Sequence, residues 1–128
     1  MKLFAKAKDG GPESTVTGYW LIEWKVVVSV ALLRFDHGSR DVFHSHAFDS
    51  ISWILSGRLR EEHLEGDVVV HRRRWRPIVT RRSTFHRVFS ERTSWVITIR
   101  GPWARTWQEW DPRRAKRTTL TDGRRAVA

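Results

Sequence analysis

The chain is 128 residues long and 40% hydrophobic, with eight Trp, six Phe and no Cys, and it carries a formal net charge of +10. That length suits one domain with a real core, and the absence of Cys excludes disulfides, a cysteine nucleophile and thiolate metal sites. No apolar run approaches the roughly 18–20 residues that a membrane span needs. Residues 1–9 carry Lys2, Lys6 and Lys8 without an apolar segment, so no secretory signal is expected. The expectation is a soluble cytoplasmic protein.

Residues 1–14 read as a loose N-terminal tail, with Gly10-Gly11-Pro12 as a breaker. From Val16 the texture changes. Residues 17–25 and 26–35 are rich in β-branched and aromatic side chains and read as strands. The turn cluster Asp36-His37-Gly38-Ser39 follows. Residues 50–56 alternate, with Ile51, Trp53 and Leu55 on one face and Ser50, Ser52 and Ser56 on the other. Gly57 ends that strand, and residues 58–64 read as its hairpin partner. Gly66-Asp67 is a turn, residues 68–71 a short strand, and residues 84–89 and 94–100 complete the series before Gly101-Pro102.

Trp103, Trp107 and Trp110 then recur at i, i+4 and i+7, which predicts one face of a short helix packed on the barrel wall. Their polar neighbours also allow base stacking. Trp20, Trp24, Trp53 and Trp95 are strand aromatics, expected in the core or lining a cavity. Residues 113–128 are rich in Arg, Lys and Thr and predict a basic, disordered tail. Short strands with frequent turn signals argue for an all-β sandwich or barrel over residues 15–112.

The charge is uneven. Residues 1–71 hold eight Lys and Arg against ten Asp and Glu, whereas residues 72–128 hold sixteen against four. Nineteen of the 24 basic residues are Arg, whose planar fork suits carboxylate and phosphate. Either a solvated face or an anionic partner accounts for this.

Six His occur, at 37, 44, 46, 63, 71 and 86. In a strand, residues two apart share a face, so His44 and His46 can reach one metal ion. A third ligand must come from a neighbouring strand, and His86 is the best candidate. Imidazole suits several divalent transition metals, so the ligands do not select among Fe, Mn, Ni and Zn. His63 and His71 read as ordinary polar residues, and His37 as an exposed turn residue. Glu61 and Glu62 read as a solvated edge pair, or else one of them enters the interior as a fourth ligand or general base.

His44-x-His46, Ser50 and Gly57, with His86 about forty residues downstream, follow the spacing of the two cupin motifs. Residues 30–102 resemble small cupin-like proteins of bacteria and phages. The resemblance is carried by Phe43-His44-Ser45-His46-Ala47-Phe48-Asp49, Trp53-Ile54-Leu55-Ser56-Gly57, Glu61-Glu62, Phe85-His86-Arg87-Val88 and Thr98-Ile99-Arg100-Gly101-Pro102. It implies a jelly-roll β-barrel and a divalent metal on His44, His46 and His86. Two departures stand out. The acidic position of the first motif is Ser50, with Asp49 one residue early and able to ligate only through irregular backbone. The usual Pro-x-Gly turn of the second motif is replaced by Arg74-Trp75-Arg76-Pro77.

The resemblance leaves the chemistry open. One expectation is a small metal-dependent enzyme, dioxygenase- or isomerase-like, with Arg74, Arg76, Arg82 and Arg87 orienting an anionic small molecule. The alternative is a non-catalytic module that binds nucleic acid or another polyanion through its Arg-rich half. A homodimer is compatible with either.

Overall fold

The computed structural model describes residues 1–11, 14–38, 42–121 and 124–126. Among them no helix occurs. There are thirteen strands: β1 Lys2–Lys8, β2 Val16–Trp24, β3 Val28–Phe35, β4 Phe43–His44, β5 Ser50–Ser56, β6 Arg58–His63, β7 Val68–Arg72, β8 Ile78–Thr80, β9 His86–Phe89, β10 Ser94–Arg100, β11 Thr106–Asp111, β12 Lys116–Thr121 and β13 Arg125–Ala126. They form two antiparallel sheets, ordered β1-β2-β3-β10-β5-β8 and β13-β12-β11-β4-β9-β6-β7. The architecture is an all-β jelly roll.

The core lies between the sheets. Trp20, Ala31, Leu33, Ile54 and Val96 from the first sheet meet Leu59 of β6. Gly18 makes room for this core, because a Cβ there would fall 2.2 Å from the Trp20 indole. On β5 and β10 the inward positions are largely polar. Ser50, Ser94, Thr98 and Arg100 are buried, while Ile51 and Ile99 are exposed on the outer face. Ser52 Oγ donates to Thr98 Oγ1 across the two strands at 2.9 Å. The alternation read in residues 50–56 is therefore present with its serine face inward. Trp53 and Trp95 share the outward parity of Ile51 and Ile99, and Trp24 is exposed, so only Trp20 of these four belongs to the core.

Residues 58–64 are not the hairpin partner of β5. β6 pairs with β7 and β9, whereas β5 pairs with β10 and β8. Gly57 is the corner where the chain leaves one sheet for the other. It has φ +80°, and a Cβ would sit 2.2 Å from Ser94 Oγ and 2.9 Å from Ser94 Cα. Ser94 Oγ latches the corner by accepting from Arg58 N–H at 3.2 Å and lying 3.1 Å from Arg58 O.

Three other segments differ from the sequence reading. Residues 2–8, read as tail, pair with β2 from Lys2↔Glu23 to Lys8↔Thr17. Nearly every side chain of β1 is exposed, so backbone hydrogen bonds hold it and no apolar period announces it. Residues 116–121, read as tail, pair with β11 over six positions, and Leu120 is buried. Asp122, Gly123, Val127 and Ala128 of that expected tail lie outside the described residues. The tryptophan helix is replaced by β11, which pairs with β12 on one side and β4 on the other. Two neighbouring ladders outweigh the i, i+4, i+7 spacing.

Gly57→Ala is expected to cost at least about 2 kcal/mol, from the left-handed backbone and the contact with Ser94. Urea unfolding followed by Trp fluorescence should show a lower midpoint with an unchanged slope.

Candidate metal centre

His44 closes β4, and its Cα partner across the ladder is His86, the first residue of β9. His46 lies two residues on, where Ser45 N–H and Ser45 Oγ fasten the chain to Gln108 of β11. One ligand nitrogen from each of His44, His46 and His86 falls within 4.8 Å of the other two. The ring centroids stand 4.8, 4.9 and 5.0 Å apart. His46 Nε2 and His86 Nε2 are 2.8 Å apart. Two lone pairs cannot face each other at that distance. Either one nitrogen carries a proton, or a cation lies beside both. Nitrogens bound to one ion at about 2.1 Å stand roughly 3 Å apart.

Glu61 of β6 sets the orientation of His86. Its carboxylate contacts His86 Nδ1, and His71 Nε2 lies 2.8 Å from Oε1. His63 Nε2 lies 3.4 Å from the same oxygen. Burial alone would raise the Glu61 pKa. The hydrogen bonds that His71 and His86 donate to it outweigh this and hold the carboxyl well below its usual 4.5. The carboxylate is ionised at neutral pH and accepts Nδ1–H from His86. That tautomer leaves His86 Nε2 with its lone pair toward His46, as a carboxylate–histidine–metal arrangement requires. Three converging imidazoles, one fixed by a carboxylate, suit a divalent transition metal such as Fe, Mn, Ni or Zn.

The other expected site residues fall elsewhere. Asp49 is exposed, and its Oδ1 accepts the backbone N–H of Arg82 at 2.7 Å, so it is a loop brace outside the imidazole cluster. The one-residue offset from Ser50 gives it the opposite parity, and the backbone does not bend to recover it. Arg74, Arg76 and Arg82 are exposed. Arg87 lines the cavity, but its guanidinium is paired with Glu62 at 2.8 Å and lies over the Phe43 ring. His71, read as an ordinary polar residue, is buried against Glu61.

The three imidazoles line a cavity of about 470 Å³ between the sheets. Glu61 and His71 lie at the histidine end. Trp20, Phe48, Arg100 and Trp103 also line it, with Asp9 from the turn after β1. The Phe48 ring is 5.0 Å from His46 and 5.2 Å from Trp103, which continues the aromatic wall. Arg100 was not singled out by sequence. Its parity with Thr98, Val96 and Ser94, the inward side of β10, is the signal that could have found it.

No protein-family model matches the chain, and no curated protein matches it in sequence. Solved structures do match in fold. A candidate sugar phosphate isomerase from Acidithiobacillus ferrooxidans shares 16% identity and a TM-score of 0.64, over 99% of this chain and 85% of that one. An RmlC-like cupin from Shewanella frigidimarina shares 15% identity and a TM-score of 0.58, over 74% and 81%. The Clostridium difficile EutQ protein shares 14% identity and a TM-score of 0.60, over 76% and 75%. The fold is that of the cupins.

Glu61→Gln keeps the shape of the side chain but removes the charge that fixes His86. It is expected to weaken Zn(II) or Mn(II) affinity about 10–100-fold, as carboxylate partners of ligating histidines do elsewhere. Competition titration with a chromophoric chelator reads this directly.

Proposed function

We propose that this protein is a metal-binding cupin that acts on an anionic small molecule, with His44, His46 and His86 as the metal ligands. The observation that carries this reading is the convergence of three imidazoles on a cavity between the sheets, with Glu61 orienting one of them. A divalent metal held there would supply a Lewis acid or redox centre at positions open to the cavity. The chain's own residues do the remainder. Glu61 holds the proton on His86 Nδ1 and so keeps Nε2 available. Phe48 packs against His46, and Trp103 packs against Phe48. Isomerase chemistry fits these parts, and the Acidithiobacillus neighbour is a candidate sugar phosphate isomerase. Oxygenase chemistry uses the same ligand type.

The test is the metal content of untagged protein beside a His44→Ala/His86→Ala double variant, by mass spectrometry. Near-stoichiometric transition metal, lost in the variant, supports the reading. Equal metal in both proteins overturns the ligand assignment.

A second reading rests on a separate surface. Arg72 at the end of β7 and Arg73, Arg74 and Arg76 between β7 and β8 are all exposed, and Trp75 among them is 98% exposed. Trp53 Nε1–H donates to Trp75 O at 3.2 Å and ties this segment to β5. An exposed ring among guanidinium groups suits single-stranded nucleic acid, with base stacking and phosphate neutralisation. Trp75→Ala should then weaken oligo(dT) binding by about 1–3 kcal/mol at low salt. An oligonucleotide that does not shift fluorescence anisotropy even at low salt excludes this use of the surface.

A further inference from the structure

Arg100 is the last residue of β10 and is 4% exposed, yet it is built into the cavity lining. Its Nη1 and Nη2 donate to Asp9 Oδ1 at 3.2 Å and Asp9 Oδ2 at 2.6 Å. One face of the guanidinium is 4.6 Å from the Phe48 ring, and Trp20 lies 5.8 Å away. The rings restrict approach to the in-plane edge, where a planar two-oxygen group can take two parallel hydrogen bonds.

Two buried donors on residues that pack against Phe48 have no hydrogen-bond partner. One is Arg100 Nε and the other is Trp103 Nε1. Both residues touch the Phe48 ring, Trp103 with a centroid separation of 5.2 Å. An unpaired buried donor is costly, and such atoms are rare in a folded chain unless something else pairs with them. Asp9 differs from Arg100 in its freedom. Its side chain is 27% exposed against 5% for Arg100. It precedes Gly10 and Gly11, both at positive φ, at the end of the thinly packed edge strand β1. Its backbone is pinned by Asp9 N–H to Val16 O at 2.9 Å and by Ser14 Oγ to Asp9 O at 2.5 Å. Rotation of the Asp9 side chain alone would therefore free the fork without opening the hairpin.

We infer that Arg100 is the anchor for the carboxylate of a small molecule with a flat apolar part, and that Asp9 occupies this anchor until such a ligand displaces it. The inference rests on the reading of the cavity as a small-molecule site and names the ligand class. A ligand carboxylate takes the place of Asp9 on the Nη1–Nη2 edge. An acceptor further along the ligand pairs Trp103 Nε1. The flat part lies against Phe48, whose ring leads to His46 at 5.0 Å. A planar carboxylate fits beside the Phe48 ring better than a tetrahedral phosphate does.

The test uses benzoate, benzamide and inorganic phosphate as probes, by titration calorimetry on EDTA-treated and Zn-loaded protein. Asp9→Asn removes the competing charge and should tighten benzoate binding by about tenfold or more, with little change for benzamide. Arg100→Gln should abolish benzoate binding. A purely structural ion pair predicts that Asp9→Asn only loosens the hairpin, so unchanged benzoate affinity in that variant overturns the inference, whether or not the Arg100 variant folds. An equal gain for benzamide or phosphate overturns the carboxylate assignment. Benzoate that binds only with Zn present, and equally in both variants, has gone to the metal; that sinks the anchor and leaves the metal centre standing. A gain in Asp9→Asn protein that takes up no metal upholds the anchor and removes the metal centre.

Discussion

A carboxylate taken out of water must be paired, and the structure around the candidate metal centre follows from how Glu61 is paired. Its partners come from three strands. His63 shares β6, His71 is on β7 and His86 is on β9. Removing any one imidazole leaves a buried charge with less to balance it, so these strands are constrained to one register. In that register Glu61 lies opposite Val88 and Val69, and His63 opposite His86. The same pairing that satisfies the carboxylate also fixes the tautomer of His86. The stability of this corner and the availability of a ligand nitrogen are thus one physical arrangement.

The second constraint is the polarity of the first sheet. In most half-buried antiparallel sheets the apolar face turns inward. Here the neighbouring strands β5 and β10 turn Ser50, Ser52, Thr98 and Arg100 toward the interior, and leave Ile51 and Ile99 outside. The apolar core is correspondingly small and gathers where Ile54, Val96, Leu33 and Leu59 meet. The space beside it is a cavity rather than more core, because short hydroxyl side chains do not fill it. A fold that gives up apolar packing in its centre keeps room for something else.

Much of this was legible from residue order. His44 and His46 were singled out by the two-residue spacing and His86 by the cupin-like motif, and the three do converge, although β4 ends at His44 and His46 lies beyond it. Most strands from Val16 to Arg100 announced themselves by β-branched and aromatic runs, but the three-residue β8 did not. Pairing was harder to read. Nothing local in residues 58–63 says that they join β9 rather than β5, because a left-handed glycine serves a hairpin and a corner equally well. Glu61 could be raised only as an unlikely interior acid until β7 and β9 were known to flank it. β1 and β12 carry few buried side chains, so their order comes from backbone hydrogen bonds that leave no mark on hydropathy. Arg100 was hidden among so many other arginines that its inward parity did not stand out.

The ladder contact between His44 and His86 has one further consequence, for the order in which the molecule is made. These two residues are paired by Cα register although the chain between them must first build β5, β6, β7 and β8. Closing so long a loop costs entropy before any contact repays it, and topologies of this kind fold slowly. β4 is only two residues long, so it adds little to drive that closure. The histidine cluster therefore belongs to the late part of folding. A metal that bridged it would act as a clasp on the finished barrel, binding the native chain and not its precursors, and lengthening the life of the folded state by mass action.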